Sequence, residues 1–147
     1  SGLNDGAAAL ILATAAYAKS HGLSPKARLL GYSMAGVEPS LMGLGPIPAV
    51  QQLLAKTGLS PANIDVIESN EAFASQALAV SQTLGFDPTK VNPNGGAIAL
   101  GHPVGATGAI LLVKTLYELE RINGQFGLVT LCIGGGQGIA LLVERCG

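Results

Sequence analysis

The sequence predicts an α/β protein, a mixed and mostly parallel sheet covered by helices on both faces. Three observations carry this expectation. Apolar runs of strand length alternate along the chain with runs of helical period. Hydrophobic residues make 48% of the 147 residues but aromatics only 4%, so the core must be aliphatic, built from Ala, Leu, Ile and Val. The 21 glycines cluster between the periodic runs, where tight, ligand-facing loops would join strands to helices. The length fits one domain over residues 1–147.

Taken in order, residues 1–6 form a polar, glycine-containing turn, and residues 7–13, AAALILA, read as a buried strand. Thr14 can cap a short helix, AAYAKSH, which Gly22 ends. Residues 27–35 read as a second strand closed by Gly36, and residues 42–48 as a loop. An amphipathic helix over 49–57 stops at Gly58, and Ser60-Pro61 gives a cap followed by proline at the first helical position. A short strand over 65–69 leads into a helix over 71–84 that Gly85 ends, and Asp87-Pro88 repeats the cap-proline signal. The central stretch, VNPNGGAIALGHPVGATG over 91–108, combines a strand end, paired glycines and His102. The helical run that follows, 105–121, repeats apolar residues at Ile110, Leu111, Val113, Leu116, Tyr117 and Leu119 and stops near Asn123-Gly124. Residues 127–132 and 138–143 flank a glycine knot as an antiparallel hairpin. No internal repeat, linker or low-complexity segment interrupts the series.

Net charge is −1 and charged residues are 12%, with no basic stripe, which argues against a nucleic-acid partner. The longest clean apolar run, residues 7–18, contains Thr14 and falls short of the roughly 20 residues a spanning helix needs. No basic-then-apolar leader opens the chain, and two cysteines do not make a disulfide framework, so the cytoplasm is the expected compartment. The apolar excess suits a large subunit or inter-domain interface. The first residue is not Met and the chain starts in a working segment, which suggests a piece of a longer protein.

Three stretches could carry chemistry. His102 lies on an irregular loop just before a helix, whose N-terminal partial charge favours a neutral imidazole able to take a proton from a nucleophile; an incidental histidine in a glycine-rich turn is the plain alternative. Asn70, between a strand and a helix, serves either as an N-cap or to hold a water or ligand through its amide, and Glu71 suits the first turn of that helix. Cys132 ends an apolar strand ahead of Ile133-Gly134-Gly135-Gly136; it is either a buried structural cysteine or a group open to substrate, in a turn whose backbone N–H groups can face an oxyanion. Cys146 has no such setting, and His21 reads as a solvated helix-end residue. Dinucleotide, Walker A, HExxH and zinc-site patterns are absent, so no metal site is expected.

Together Asn70-Glu71-Ala72-Phe73, Gly101-His102-Pro103 and Cys132-Ile133-Gly134-Gly135-Gly136-Gln137-Gly138 resemble the C-terminal motifs of the thiolase family, and SGLNDGAAAL resembles the start of that same half. The resemblance covers essentially the whole chain and is nearest the acetyl-CoA acetyltransferase (acetoacetyl-CoA thiolase) subgroup. It implies a thiolase-like C-terminal domain and an enzyme that joins two acyl-CoA molecules by Claisen condensation, or cleaves a 3-ketoacyl-CoA with CoA. By the same resemblance, His102 takes the proton of a nucleophilic cysteine in the N-terminal half and steadies the enolate oxygen. Asn70 holds a water completing that oxyanion site, Cys132 moves the proton at the substrate α-carbon, and the Gly134 N–H serves a second oxyanion hole. Met42 and Phe73 match positions lining the acyl pocket. CoA thioesters are implied as substrates, with no further cofactor, and the family forms dimers or tetramers. The family's N-terminal half, with the nucleophile, is not in this chain, so the chain alone is expected to be inactive. Sterol-carrier-type thiolases replace the NEAF and CIGGG segments, and ketosynthases write two histidines into different motifs. A thiolase of broader chain length, a non-catalytic interaction domain and a simple nucleotide-binding module are the competing readings.

Overall fold

The computed structural model describes residues 4–147. Thr14 caps α1 (Ala15–Ser20) as expected, its hydroxyl accepting the Tyr17 N–H at 3.1 Å. β1 (Ala27–Gly36) leads through a tight helical turn, Pro39–Leu44, into α2 (Pro46–Thr57), which starts earlier than the hydrophobic period indicated because Pro46 is preset for a first helical turn. β2 (Val66–Ser69) is buried at all four residues. α3 (Ala74–Leu84), a short α4 (Ala97–Leu100) and the long α5 (Thr107–Ile122) follow, and β3 (Phe126–Ile133) and β4 (Gln137–Arg145) form the expected hairpin.

The strands form one mixed sheet in the order β1-β4-β3-β2. The parallel majority expected from alternating strands and helices does not hold among them. β1 and β3 both pair antiparallel to β4, and only β2 and β3 run parallel, with Val91 bridging Ile67 in parallel on the far side. The reason is that the hairpin turns β4 back beside β3, and β1 then closes on β4 with Ala27 opposite Arg145 and Gly36 opposite Gln137. Alternation specifies that crossovers exist, not which strands become neighbours.

Helices cover both faces, as expected. Adjacent residues of one strand point to opposite sides of a sheet. Leu142 thus joins Leu53, Leu54, Val80, Ile67 and Leu128 under α2 and α3, while Val143 joins Val66 and Leu119 under α5. Each fully buried Leu in this aliphatic core contributes roughly 1.5–3 kcal/mol over exposure. The start of α2 comes so close to β4 that a Cβ on Gly138 would collide with the Gly45 carbonyl. The buried stripe of α5 runs through Thr107, Leu111, Thr115, Glu118 and Leu119, whereas Tyr117 is exposed. Its polar members are satisfied: Thr115 donates to the Leu111 carbonyl, and Glu118 accepts from Arg121 and Asn94.

Two further expectations need correcting. Residues 7–13 are not a buried strand: they form no regular structure, with Ile11 97% and Leu12 83% exposed. A strand needs a neighbour offering N–H and C=O groups, and none pairs with this run among the described residues. The helix expected over 71–84 begins only at Ala74, so Asn70 is not its cap and Glu71 is not in its first turn. On the α5 side of the sheet, Tyr32 stands opposite Leu141 and Met34 opposite Ile139, and both β1 side chains are exposed. Among the described residues no helix is long and apolar enough to cross a membrane.

Candidate active site

β2 and β3 run parallel in register, with Ser69 opposite Thr130, so both strands end at the same edge of the sheet. Asn70 extends that edge by one residue, its N–H donating to the Thr130 carbonyl at 2.9 Å. Cys132 lies two residues beyond Thr130 on the neighbouring strand. The segment between α4 and α5 brings His102 to the same end.

His102 and Asn70 meet directly. The imidazole Nε2 lies 3.3 Å from Asn70 Nδ2, and Asn70 is 1% exposed. The other ring nitrogen, Nδ1, is 2.7 Å from Thr107 Oγ1. The Thr107 hydroxyl has one proton and donates it to the Pro103 carbonyl at 2.9 Å. It must then accept from Nδ1–H, which leaves Nε2 as the unprotonated, basic nitrogen, able to receive the Asn70 amide proton. Burial also holds His102 below the usual histidine range. The neutral imidazole expected from the sequence therefore stands, with desolvation as its leading cause. The amide Oδ1 of Asn70 is buried without a protein partner among the described residues.

The backbone around the ring is held at a distance in sequence. The His102 N–H donates to Asn4 Oδ1 at 2.8 Å, across 98 residues. Asn70 and the residues on either side of His102 line a cavity of about 30 Å³, with Gly101, Pro103, Thr107, Ile110 and Lys114 among its walls. Lys114 Nζ donates to Glu68 Oε2 at 2.7 Å and to the Gly95 carbonyl at 2.6 Å, tying β2, α5 and the His102 segment together.

Cys132 is a free, buried thiol, and burial pushes it above the usual cysteine value. Among the described residues no hydrogen bond joins it to His102 or Asn70; the three share a sheet edge. Gly134 opens the turn between β3 and β4, with open space where a Cβ would stand. Its carbonyl accepts from Gln137 Nε2 at 3.1 Å, and Gly135 and Gly136 take left-handed backbone angles that a Cβ would strain.

Met42 and Phe73 are not among the residues lining the cavity beside Asn70. Met42 is in the turn ahead of α2, and Phe73 is exposed at the start of α3. The two elements pack together where Gly43 meets Gln76, close enough that a Cβ on Gly43 would sit 2.7 Å from Gln76 Cγ. His21 is exposed at the end of α1, stacked on Tyr17 at 3.9 Å between ring centres, and Cys146 is exposed. Among the described residues no group of three or more His, Cys, Asp or Glu side chains is placed to hold a metal ion.

Sequence reasoning missed Thr107, Asn4 and the Glu68–Lys114 pair. Thr107 could have been found as a hydroxyl five residues after a candidate base. The other two depend on contacts between distant segments that carry no local signal.

The chain as a whole is similar to known proteins. The family model for the thiolase C-terminal domain matches residues 23–145. The chain is 58% identical over 145 residues to a beta-ketothiolase, BktB, of Cupriavidus necator, covering 99% of this chain and 37% of that protein. It is 57% identical over 145 residues to an acetyl-CoA acetyltransferase of Escherichia coli, and 57% over 147 to a beta-ketoadipyl-CoA thiolase of Pseudomonas putida, with the same coverage. Human mitochondrial 3-ketoacyl-CoA thiolase, crystallised with CoA, superposes with a TM-score of 0.89 at 46% identity over 90% of this chain and 34% of that one. The Bacillus anthracis acetyl-CoA acetyltransferase gives 0.89 at 47% identity, with the same coverage. The chain thus spans about 37% of the length of the curated relatives it matches. With the family model matching residues 23–145 and the fold in agreement, the chain belongs to the thiolase family.

Proposed function

We propose that this chain is the C-terminal catalytic half of an acetyl-CoA C-acetyltransferase, acting on CoA thioesters in the cytoplasm and needing no further cofactor. Its partner is an N-terminal thiolase half that supplies a nucleophilic cysteine, and the whole protein works as a homo-oligomer. The observation that carries this reading is the His102–Asn70 pair, with the Thr107 hydroxyl leaving Nε2 as the base.

In the cleavage direction, His102 Nε2 takes the proton of the nucleophilic cysteine. The thiolate attacks the 3-keto carbon of acetoacetyl-CoA and the C2–C3 bond breaks. The departing acetyl-CoA enolate, its oxygen steadied by protonated Nε2 and by a water on the Asn70 amide, takes a proton at carbon from the Cys132 thiol. Cys132 suits this step because burial keeps it protonated at rest. The resulting Cys132 thiolate removes the proton of a second CoA thiol. That sulfur attacks the acetyl-cysteine, whose oxyanion the Gly134 N–H steadies; acetyl-CoA is released, and the departing cysteine thiolate takes its proton back from His102 Nε2. Condensation runs the same steps backwards. An oxyanion donor of this kind is worth roughly 10²–10³ in rate.

A second reading, a thiolase for longer or substituted 3-ketoacyl chains, is favoured by the beta-ketoadipyl-CoA relatives at equal identity. Met42 and Phe73 would line the acyl pocket in either case.

The test is CoA-dependent loss of acetoacetyl-CoA, measured with the chain alone and with the chain joined to a thiolase N-terminal half. The expected result is no turnover alone and turnover when joined, nearly abolished by His102→Ala or Cys132→Ala. A panel of longer 3-ketoacyl-CoA substrates separates the two readings. Turnover by the chain alone would sink the half-enzyme assignment. A folded joined protein inactive on every 3-ketoacyl-CoA tried would favour a non-catalytic interaction domain.

A further inference from the structure

We propose that Glu71 is a positioning residue for His102, its carboxylate anchoring the turn from which the His102 loop departs. This rests on the proposed role of His102 as base. Freed from the first turn of α3, the Glu71 side chain reaches across to α4. Oε2 accepts the Ile98 N–H at 3.0 Å, and Oε1 lies 3.4 Å from Asn92 Nδ2. Asn92 is itself locked to the end of β2, its amide accepting from the Ser69 N–H at 3.0 Å and donating to the Ser69 carbonyl at 2.8 Å. Gly96 makes room for the carboxylate, since a Cβ there would collide with it.

The stretch from Asn92 to His102 is held at several points. Asn94 donates to Glu118, the Gly95 carbonyl accepts from Lys114, Ile98 donates to Glu71 and the His102 N–H donates to Asn4. Among these, Glu71 adjoins Asn70 on one side, as Ser69, bonded to Asn92, does on the other. Consecutive residues at one strand end therefore grip both the ring, through the Asn70 amide, and the turn four residues before it, through Glu71. That short span holds the Nε2–Asn70 separation alongside the Thr107 contact to Nδ1 and the Asn4 contact to the His102 N–H. Reactive geometry is steep in distance: a misplacement of about 1 Å can cost roughly 10²-fold in rate.

The experiment compares Glu71→Ala, Glu71→Gln and Gly96→Ala with the unaltered protein. The first readout is nitrogen-15 NMR of the His102 ring in the full 147-residue chain, which reports the tautomer and its titration without turnover. The second is acetoacetyl-CoA thiolysis by the chain joined to its N-terminal half. Glu71→Ala is expected to lower kcat by about 10²-fold with KM within about threefold, and to move the ring from a fixed Nδ1–H tautomer toward exchange between the two. Glu71→Gln keeps an oxygen to accept the Ile98 N–H and should restore both readouts most of the way. Gly96→Ala, which displaces the carboxylate, should repeat the Glu71→Ala result. Unaltered ring signals and kcat in folded Glu71→Ala overturn the proposal, whatever its melting temperature. If Glu71→Ala does not fold, unaltered ring signals in Gly96→Ala overturn it instead. A joined protein that never turns over, with ring signals that still respond to Glu71, defeats the functional reading and leaves the positioning role standing.

Discussion

Replacing Lys114 by Met strands Glu68 as a carboxylate at a place water does not reach. Glu68 is 0% exposed; Oε2 has Lys114 Nζ at 2.7 Å, and Oε1 is without a hydrogen-bond partner among the described residues. Removing one member of a buried pair costs roughly 3–5 kcal/mol, because the other charge is left uncompensated. Native stability is only about 5–15 kcal/mol, so the loss is a large fraction of it. For a chain of this size it corresponds to a fall of about 6–20 °C in Tm. The double variant Glu68→Gln/Lys114→Met removes both charges and should recover most of the loss. Acid offers a second check. Burial raises Glu68 above the ordinary carboxylate value even with Lys114 beside it. A raised folded-state value means stability is greatest below the unfolded carboxylate range and is lost as pH rises through the folded value. Lys114→Met raises that value further, so its deficit against the unaltered protein should be largest at pH 7 and shrink toward pH 5. Urea unfolding followed by circular dichroism at both pH values measures this. A Lys114→Met protein within about 1 kcal/mol of the original at pH 7, against the 3–5 expected, would refute the reasoning. So would a double variant no more stable than the single.

Thr107→Val removes the acceptor that fixes the His102 tautomer; kcat for thiolysis by the joined protein should fall at least about tenfold, short of the roughly 10²–10⁴ of losing the base itself, and Thr107→Ser should restore it. Because burial lowers His102, the acid limb of kcat/KM should lie below the ordinary histidine value of about 6.5, and an acid limb at or above that value contradicts a desolvated ring. The same depression gives stability that is present above the unfolded histidine value and lost as pH falls, a loss that His102→Asn should lessen in urea titrations between pH 7 and 5. Iodoacetamide at pH 7.5 should label exposed Cys146 quickly and buried, pKa-raised Cys132 slowly, as read by mass after digestion; faster labelling of Cys132 would exclude its resting state as a shielded thiol.

The sequence reading was accurate where a local signal had a local cause. Thr14 caps α1, Gly58 and Gly85 end their helices, and the glycines after Cys132 make a hairpin, because caps and turns are decided within a few residues. It failed where the cause lay elsewhere in space. The run AAALILA has the composition of a buried strand, but a strand is defined by its neighbour, and among the described residues none pairs with it. Asn70 and Glu71 looked like a helix start because a helix does follow; only the fold shows that a bend at residues 72–73 comes before α3, freeing Asn70 for the imidazole and Glu71 for α4. His102 was legible as a neutral imidazole, but its neutrality was traced to a helix end when burial is the leading cause. Thr107 was within reach of sequence reasoning, whereas Asn4, 98 residues away, was not.

The parallel pairing of β2 with β3 explains why so few residues suffice to assemble the site. Parallel strands end on the same side, and the crevice beyond the carboxyl ends of such strands is where α/β folds place their ligands. With Ser69 opposite Thr130, the next residues along the two strands are Asn70 and Leu131, then Glu71 and Cys132. A one-residue slip of this register would turn every side chain of one strand to the other face. That slip is opposed on both faces at once, since Val66 belongs to the core under α5 and Ile67 to the core under α2 and α3. The aliphatic core therefore fixes the alignment of the residues carrying the amide and the thiol. The polar ties from Glu71, Lys114 and Asn4 then bring the imidazole to that edge, so the accuracy of the site rests on ordinary packing for two of its groups and on three long-range polar contacts for the third.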